Sequence, residues 1–500
     1  MRAAHHPDDV RRIEQAQGEL FRDGTLMQRA ARAVAKAVDH QLGDGGRVLA
    51  LVGPGDNGGD ALWSLAMLAG ESGHPCTALL VAEHAHEDGL AAARQAGAQV
   101  LDPGEWEHPP RRPGGVSWGP GDVVVDGIVG LSGRPGLTGL AAELAVWLDG
   151  LREGATAPHV VAVDLPSGAD PDGRQPTHPG EFIRADTTVA PITAKPVHLL
   201  PGTRRACGEV VIAPLGADVS GEPPAVREMD HHDLAGSYPW PTPADHKYSR
   251  GVLGVVAGSD AYPGAAVLTC SAALHTGVGM VRYAGPQRAT DQVLARCPEV
   301  VPGQGRVQAW LLGPGTSGDD RARREEMREL ARRPEPCVLD AGALALVVER
   351  PAGSATVLTP HAGELAGLLG WERTDVESDP VGAGLEAADR WGVTVVVKGA
   401  CTVVVPASGD RNQGVSVLDG GTAWMATAGT GDLLAGAIGA LLALGVTPHD
   451  AASLGVALHQ RAGVLASGGG PLRGLQLARH LSTAVAELLP APERGSSRAS

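Results

Sequence analysis

A chain of 500 residues is longer than one hydrophobic core usually serves, so two domains are expected. With 43% hydrophobic and 20% charged residues it is neither disordered nor fibrous, and its 70 glycines and 38 prolines follow no collagen period. A formal net charge of −16 without any long basic block argues against nucleic acid or an anionic membrane as a partner.

The chain opens on MRAAHHPDDVRRIEQ, which has no apolar stretch of the secretory kind, and the apolar run at 436–445 is too short and glycine-broken to span a bilayer. A cytoplasmic location is therefore expected. Cys76, Cys207, Cys270, Cys297, Cys337 and Cys401 form no CxxC pair, and six buried, reduced thiols are the simplest reading. Short apolar runs at 47–53, 77–82, 122–127, 159–168 and 209–214 read as buried strands, separated by helix-period segments such as 60–70 and 87–97. That alternation predicts a parallel sheet with helices on both faces. Residues 105–121 read as a loop insert, and the polar, proline-rich stretch 218–245 as a linker. A second α/β unit follows, with strands predicted at 250–259, 309–315, 336–342, 355–360, 393–399 and 401–407, then two Ala/Leu/Gly-rich helices. The end of the chain, PERGSSRAS, reads as a disordered tail.

In the first half, the loop LVGPGDNGGDALW (51–63) leaves a strand and enters a helix, where the carboxyl edge of a parallel sheet meets ligands. It is not the dinucleotide fingerprint GxGxxG; Asn57 adds a neutral carbonyl that can bind a cation, and the bland alternative is a turn capped by Asp60. Asp126 closes VVVD before a second glycine-rich loop, and Asp164 closes VVAVD before LPSG, where Ser167 supplies an oxygen. Sequential parallel strands bring Asn57, Asp126, Asp164 and Ser167 toward one edge. Oxygen ligands with few charges suit a monovalent cation or a polar substrate better than zinc.

These segments, GPGDNGGDA, Asp-Gly-x-x-Gly at 126–130 and VDLPSG, resemble the NAD(P)HX epimerase family, whose patterns are usually GPGNNGGDG, DAxxGTG and DxPSG; TLMQRAARAVA (25–35) is similar to its N-terminal helix. The resemblance implies a Rossmann-like three-layer domain over residues 1–217, with potassium held by Asn57, Asp126 and Ser167. It further implies that the hydrated cofactor contacts Asp56, Asn57, Gly58, Gly59, Asp60, the loop Gly130, Leu131, Ser132, Gly133, Arg134, Pro135, Gly136, and Asp164 as the acid-base residue. Departures are Asp56 for Asn, Ala61 for Gly, and the LSG at 131–133.

In the second half, AGTGD at 428–432 sets glycines and Asp432 before a helix starting near 433. Backbone N–H groups and the helix dipole there favour an anion, and Asp432 can face an attacking hydroxyl, the arrangement phosphoryl transfer requires. No GxxxxGK[ST] is present, and the bland alternative is an aspartate N-cap. LLGPGTS, LDAGAL, LTPHAGE and VVVKGACTVV end further strands in Gly315, Asp340, His361 with Glu364, and Lys398. On residues alone, a vitamin-precursor or sugar kinase fits this loop as well, beside a non-catalytic N-terminal binding module.

In order, these segments resemble the ADP-dependent NAD(P)H-hydrate dehydratases, of ribokinase-like fold, over 246–491, before a tail at 492–500. The resemblance implies that Ala265, Gly315 and His361 touch the hydrated nucleotide, and that Lys398, Gly399, Ala400, Cys401, Thr402 and Gly431 bind ADP. Asp432 would be the base, with magnesium accompanying the nucleotide. Gly342 replaces the second Asp of the usual LDADAL. Joined, the halves would repair hydrated NADH and NADPH: one epimerises the 6-hydroxy adduct, the other phosphorylates one epimer so that phosphate leaves and the reduced cofactor returns. Small-molecule substrates, no nucleic acid, no membrane and a homo-oligomer are expected.

Overall fold

The computed structural model describes residues 2–106, 118–154, 156–174, 178, 180–316 and 320–489. Most of the predicted insert at 105–121, and the predicted tail, lie outside these residues. The chain divides into two compact units, 2–226 and 227 onward.

The first unit begins with a short strand β1 (Arg2–Ala4). Its sheet comprises β2 (Val48–Val52), β3 (Cys76–Leu80), β4 (Gln99–Leu101), β5 (Val123–Gly127), β6 (His159–Val163), β7 (Thr187–Pro191) and β8 (Glu209–Ala213). They lie in the order β4-β3-β2-β5-β6-β7-β8, and every pairing is parallel. Alternate strand residues point to opposite faces. Val48, Ala50, Val52, Val123 and Val125 pack on one face with Val34 and Val38 of helix Thr25–Gln41 and Leu62 and Leu65 of helix Asp56–Gly70. Leu49, Leu51, Val124 and Val160 pack on the other face against Leu144, Trp147 and Leu148 of helix Leu140–Glu153. Strands buried on both faces explain the unbroken Val/Leu/Ala runs. The unit is a three-layer, Rossmann-like α/β domain.

The second unit contains β9 (Val226–Glu228), β10 (Val252–Val256), β11 (Met280–Tyr283), β12 (Val301–Pro302), β13 (Ala309–Leu312), β14 (Cys337–Leu339), β15 (Thr356–Leu358), β16 (Thr394–Val397), β17 (Thr402–Val405) and β18 (Val415–Leu418). Their order is β9-β18-β17-β16-β15-β14-β13-β10-β11-β12. The pairings from β12 through β16 are parallel, whereas β16–β17 and β17–β18 are antiparallel, giving a ribokinase-like α/β domain. Helix Pro263–Thr276 packs on helix Thr430–Ala443, and at Gly436 a side chain would strike Thr269 O.

Two expectations change. The stretch 218–245 is no plain linker: from Arg227 it belongs to the second unit, Met229 N donates to Val417 O at 3.1 Å, and Leu234 and Tyr238 are buried. Tyr238 Oη donates to Thr276 O at 2.9 Å, so two apolar anchors carry a segment whose composition is otherwise polar. Of the cysteines, five are buried but Cys401 is half-buried in the turn before β17. Among the described residues no helix is long and apolar enough to cross a membrane.

Candidate active sites

A cavity of about 860 Å³ opens at the carboxyl edge of the first sheet. Of the residues that the resemblance sets against the cofactor, Asp56, Asn57, Asp60, Gly130, Leu131, Ser132, Gly133 and Asp164 line it. Gly58 and Gly59 do not: a side chain on Gly58 would strike Gly53 O, and one on Gly59 would press on the His86 ring, so both serve close backbone packing. Arg134, Pro135 and Gly136 are also absent from its wall, and Gly136 N donates to Gly168 O at 2.9 Å. Asp60 is not a cap, because the helix already begins at Asp56.

Beneath the cavity, β2, β5 and β6 are neighbours, with Leu51 paired to Asp126 and Asp126 to Ala162. This register brings Asp126 and Ser167 into contact. Ser167 N and Oγ donate to the Asp126 carboxylate at 2.8 and 2.6 Å, and Ile128 N adds a third bond at 3.3 Å. Asn57 Nδ2 donates to Val163 O at 2.6 Å, and its Oδ1 lies where a Gly130 side chain would be. Asp126 is fully buried with no ion-pair partner among the described residues, and burial pushes its carboxyl up to about 6 despite the Ser167 bonds. An amide oxygen, a hydroxyl and a buried, uncompensated carboxylate fit a monovalent cation.

Asp164 adopts φ 68°, the left-handed region that non-glycine residues rarely enter. Lys195, only 1% exposed, donates to Asp164 Oδ1 at 2.5 Å and to Pro191 O at 2.8 Å. Lys195 N donates to His198 Nδ1 at 2.9 Å, so the neutral imidazole carries its proton on Nε2 and donates it to Asp164 O at 2.8 Å. Burial, then the Lys195 charge, lowers His198 to about 4, which keeps that tautomer. Sequence reasoning missed Lys195, His198 and the whole of β7. The signal available was the β-branched run TTVAP after Asp186, followed by a lysine in an otherwise arginine-rich chain.

The second site gathers the ends of adjacent strands. Asp340 follows β14, His361 follows β15 and Lys398 follows β16. Lys398 Nζ donates to Asp340 Oδ1 at 3.0 Å and stands 3.8 Å from Glu364 Oε2; Thr359 Oγ1 donates to the same Asp340 oxygen at 2.8 Å. Helix Thr430–Ala443 starts earlier than predicted, with Gly429 at φ 91° as its N-cap, so Asp432 is inside the first turn and is no cap. A methyl group on Gly431 would lie 3.6 Å from Lys398 Nζ, which puts the glycine loop, the lysine and Asp432 together. Burial, with the nearby Asp340 charge, pushes Asp432 up to about 6. Gly315 packs against Ala265, where a side chain would collide.

His361 is an N-cap in a reciprocal box, with Glu364 N donating to His361 Nδ1 at 3.1 Å and His361 N to Glu364 Oε2 at 2.8 Å; its side chain is 60% exposed. Gly399, Ala400 and Cys401 form the turn from β16 to β17, while Thr402 is buried and returns its hydroxyl to Gly399 O at 3.4 Å. A side chain on Gly342 would strike Thr316 Oγ1, which accounts for glycine where the related pattern has Asp. All residues of the first site lie within 2–226, and all those of the second beyond 227.

Comparison with known proteins agrees with both halves. The family described as YjeF-related protein N-terminus matches residues 23–197, and the family described as NAD(P)H-hydrate dehydratase matches 253–482. The bifunctional NAD(P)H-hydrate repair enzyme Nnr of Mycobacterium tuberculosis is 39% identical over 469 residues, 91% of this chain and 92% of its own. That of Mycobacterium leprae is 37% identical over 97% of this chain and 100% of its own. Among solved structures, the ADP/ATP-dependent NAD(P)H-hydrate dehydratase from Bacillus subtilis, co-crystallised with ATP and Mg2+, aligns with 52% of this chain and 97% of its own at 24% identity and a TM-score of 0.48. With two family models matched in the same order and full-length relatives 37–39% identical, the chain belongs to the bifunctional NAD(P)H-hydrate repair enzymes.

Proposed function

We propose that the first unit exchanges the R and S epimers of hydrated NADH and NADPH, and that the second converts the S epimer and ADP to NAD(P)H, AMP and phosphate. The observation that carries this reading is the pairing of two unlike carboxylates in one chain. Asp164, in an ion pair with Lys195 at the wall of a cavity, suits proton transfer at the 6-hydroxyl. Asp432, beside the Gly429–Gly431 turn and Lys398, suits a base next to an anion hole. There it would take the 6-hydroxyl proton as oxygen attacks the terminal phosphoryl group, which makes a leaving group of a poor one.

Asn57, Asp126 and Ser167 would hold potassium, whose charge offsets the buried Asp126 and firms the floor under the cavity. Magnesium would arrive with the nucleotide phosphates, which it shields from one another. Lys398 and the adjoining turn would meet the nucleotide phosphates, and Ala265, Gly315 and His361 the hydrated nicotinamide. The test supplies separated R and S hydrates with ADP and Mg2+ to the full chain and to D164N and D432N. D164N should dehydrate only the S epimer, and D432N should exchange epimers without yielding NADPH. A phosphorylated product that accumulates without elimination would instead make the second unit a small-molecule kinase.

A further inference from the structure

Among the carboxyl groups on the wall of the first unit's cavity, one buried beside Asp164 has no ion pair among the described residues. Asp60 lies within helix Asp56–Gly70, lines the cavity and is 8% exposed. Its Oδ1 is closed off from solvent and has no hydrogen-bond partner among the described residues. The charged groups facing it are Asp164, Asp56 and Glu14, against the ammonium of Lys195. That ammonium is already committed to Asp164 and Pro191 O, while Arg11 is paired with Asp8 and Leu131 O. His86, across from Gly59, spends Nδ1 on Gly89 N. Burial, with three neighbouring carboxylates and no cation of its own, raises this carboxyl well above the usual carboxylate range and so favours its protonated form.

We propose that Asp60 is the proton donor of epimer exchange, acting on ring nitrogen N1 while Asp164 acts on the 6-hydroxyl. This rests on the epimerase reading of the first unit. Asp164 takes the hydroxyl proton, the C6–O bond becomes an aldehyde carbonyl, and the C6–N1 bond breaks with its electron pair left on N1. Asp60 delivers its proton to N1. Rotation about C5–C6 presents the other aldehyde face, and N1 attacks it; N1 returns its proton to Asp60, and Asp164 returns its own to oxygen. Both carboxyl groups end as they began, and nothing is oxidised or reduced. Two carboxyl groups in unlike settings, one ion-paired and one unpaired, divide the acid and base roles as this step requires.

The test follows R-to-S exchange by the full chain across pH, with dehydration of pure S epimer as a control for folding. Wild type should show a bell, its alkaline limb reporting the acid. D60N should lower kcat about 10²-fold with KM little changed, remove the alkaline limb and leave dehydration intact. D60N with wild-type kcat, or with only a raised KM, overturns the proposal, as does loss of the limb in E14Q in place of D60N. Should D60N not fold, wild type alone decides: a rate with no alkaline fall overturns the role. Wild type that exchanges no epimers removes the epimerase reading itself, a different outcome from an active wild type whose D60N variant is equally active.

Discussion

Replacing Lys195 by methionine keeps most of the side-chain volume and removes one charge from a pair whose side chains are 1% and 7% exposed. Removing one partner of a buried pair costs about 3–5 kcal/mol, because the remaining charge is left uncompensated. For a unit of this size each kcal/mol moves the melting temperature by about 2–4 °C, so K195M should lower the first unit's transition by roughly 6–20 °C. D164N leaves the ammonium unpaired and should also destabilise. K195M/D164N, with neither charge, should be less destabilised than the sum of the singles by about 2 kcal/mol, within the range measured for contacting residues. Calorimetry of the full chain reads this directly, with the second unit's transition as an internal reference. All three variants should lose epimer exchange and keep dehydration of the S epimer. A K195M melting point within about 1 °C of wild type, with additive singles, would refute the claim that this ion pair organises the site.

Asp432, pushed up to about 6, accepts a proton only when ionised. Dehydration kcat should therefore fall as pH drops below about 6 and level off above it, and in D432N it should be about 10²-fold lower with ADP affinity nearly unchanged, as stopped-flow NADPH formation and calorimetric titration would show. G431V should do the reverse and weaken ADP binding, since its side chain would project toward Lys398. Asp126, also near 6, is ionised above that pH. Potassium should raise the first unit's melting point relative to tetramethylammonium at equal ionic strength. The gain should be full above about pH 6, fade below it, and be absent in D126N.

Much of this was legible because parallel strands end in chemistry. Asp126, Asp164, Asp340 and Lys398 each stand at or just after a strand end, and topology alone brings neighbouring ends together. Lys195 escaped for the opposite reason. It follows β7 in a segment with no glycine turn or carboxylate, and its role exists only because β6 and β7 are neighbours, which puts it on a residue 31 positions earlier. The environment of Asp60 was equally hidden, since it depends on Glu14 arriving from the first long helix, Pro7–Ala16. The packing of Gly58 and Gly59 was hidden as well, since Gly53 O and the His86 ring occupy the space where their side chains would be. The start of helix Thr430–Ala443 was misplaced because Thr430 and Gly431 are weak helix formers that its buried Leu/Ala face overrides.

The loop at 51–63 and strand β5 share one further dependency. A methyl group on Gly127 would lie 2.6 Å from Ala61 Cβ and 2.8 Å from Asn57 O, so both a side chain and the helix backbone close this space. The epimerase pattern this region resembles has glycine at position 61 and alanine at 127; here the arrangement is reversed, Ala61 facing Gly127. Emptying position 61 does not by itself make room at 127, because the Asn57 carbonyl keeps its place against the strand. An alanine at 127 needs the first turn of helix Asp56–Gly70 to draw back from β5, and that turn carries Asn57 itself. The bare Gly127 thus fixes how close Asn57 sits to the sheet, and G127A should stay destabilising even in an A61G background.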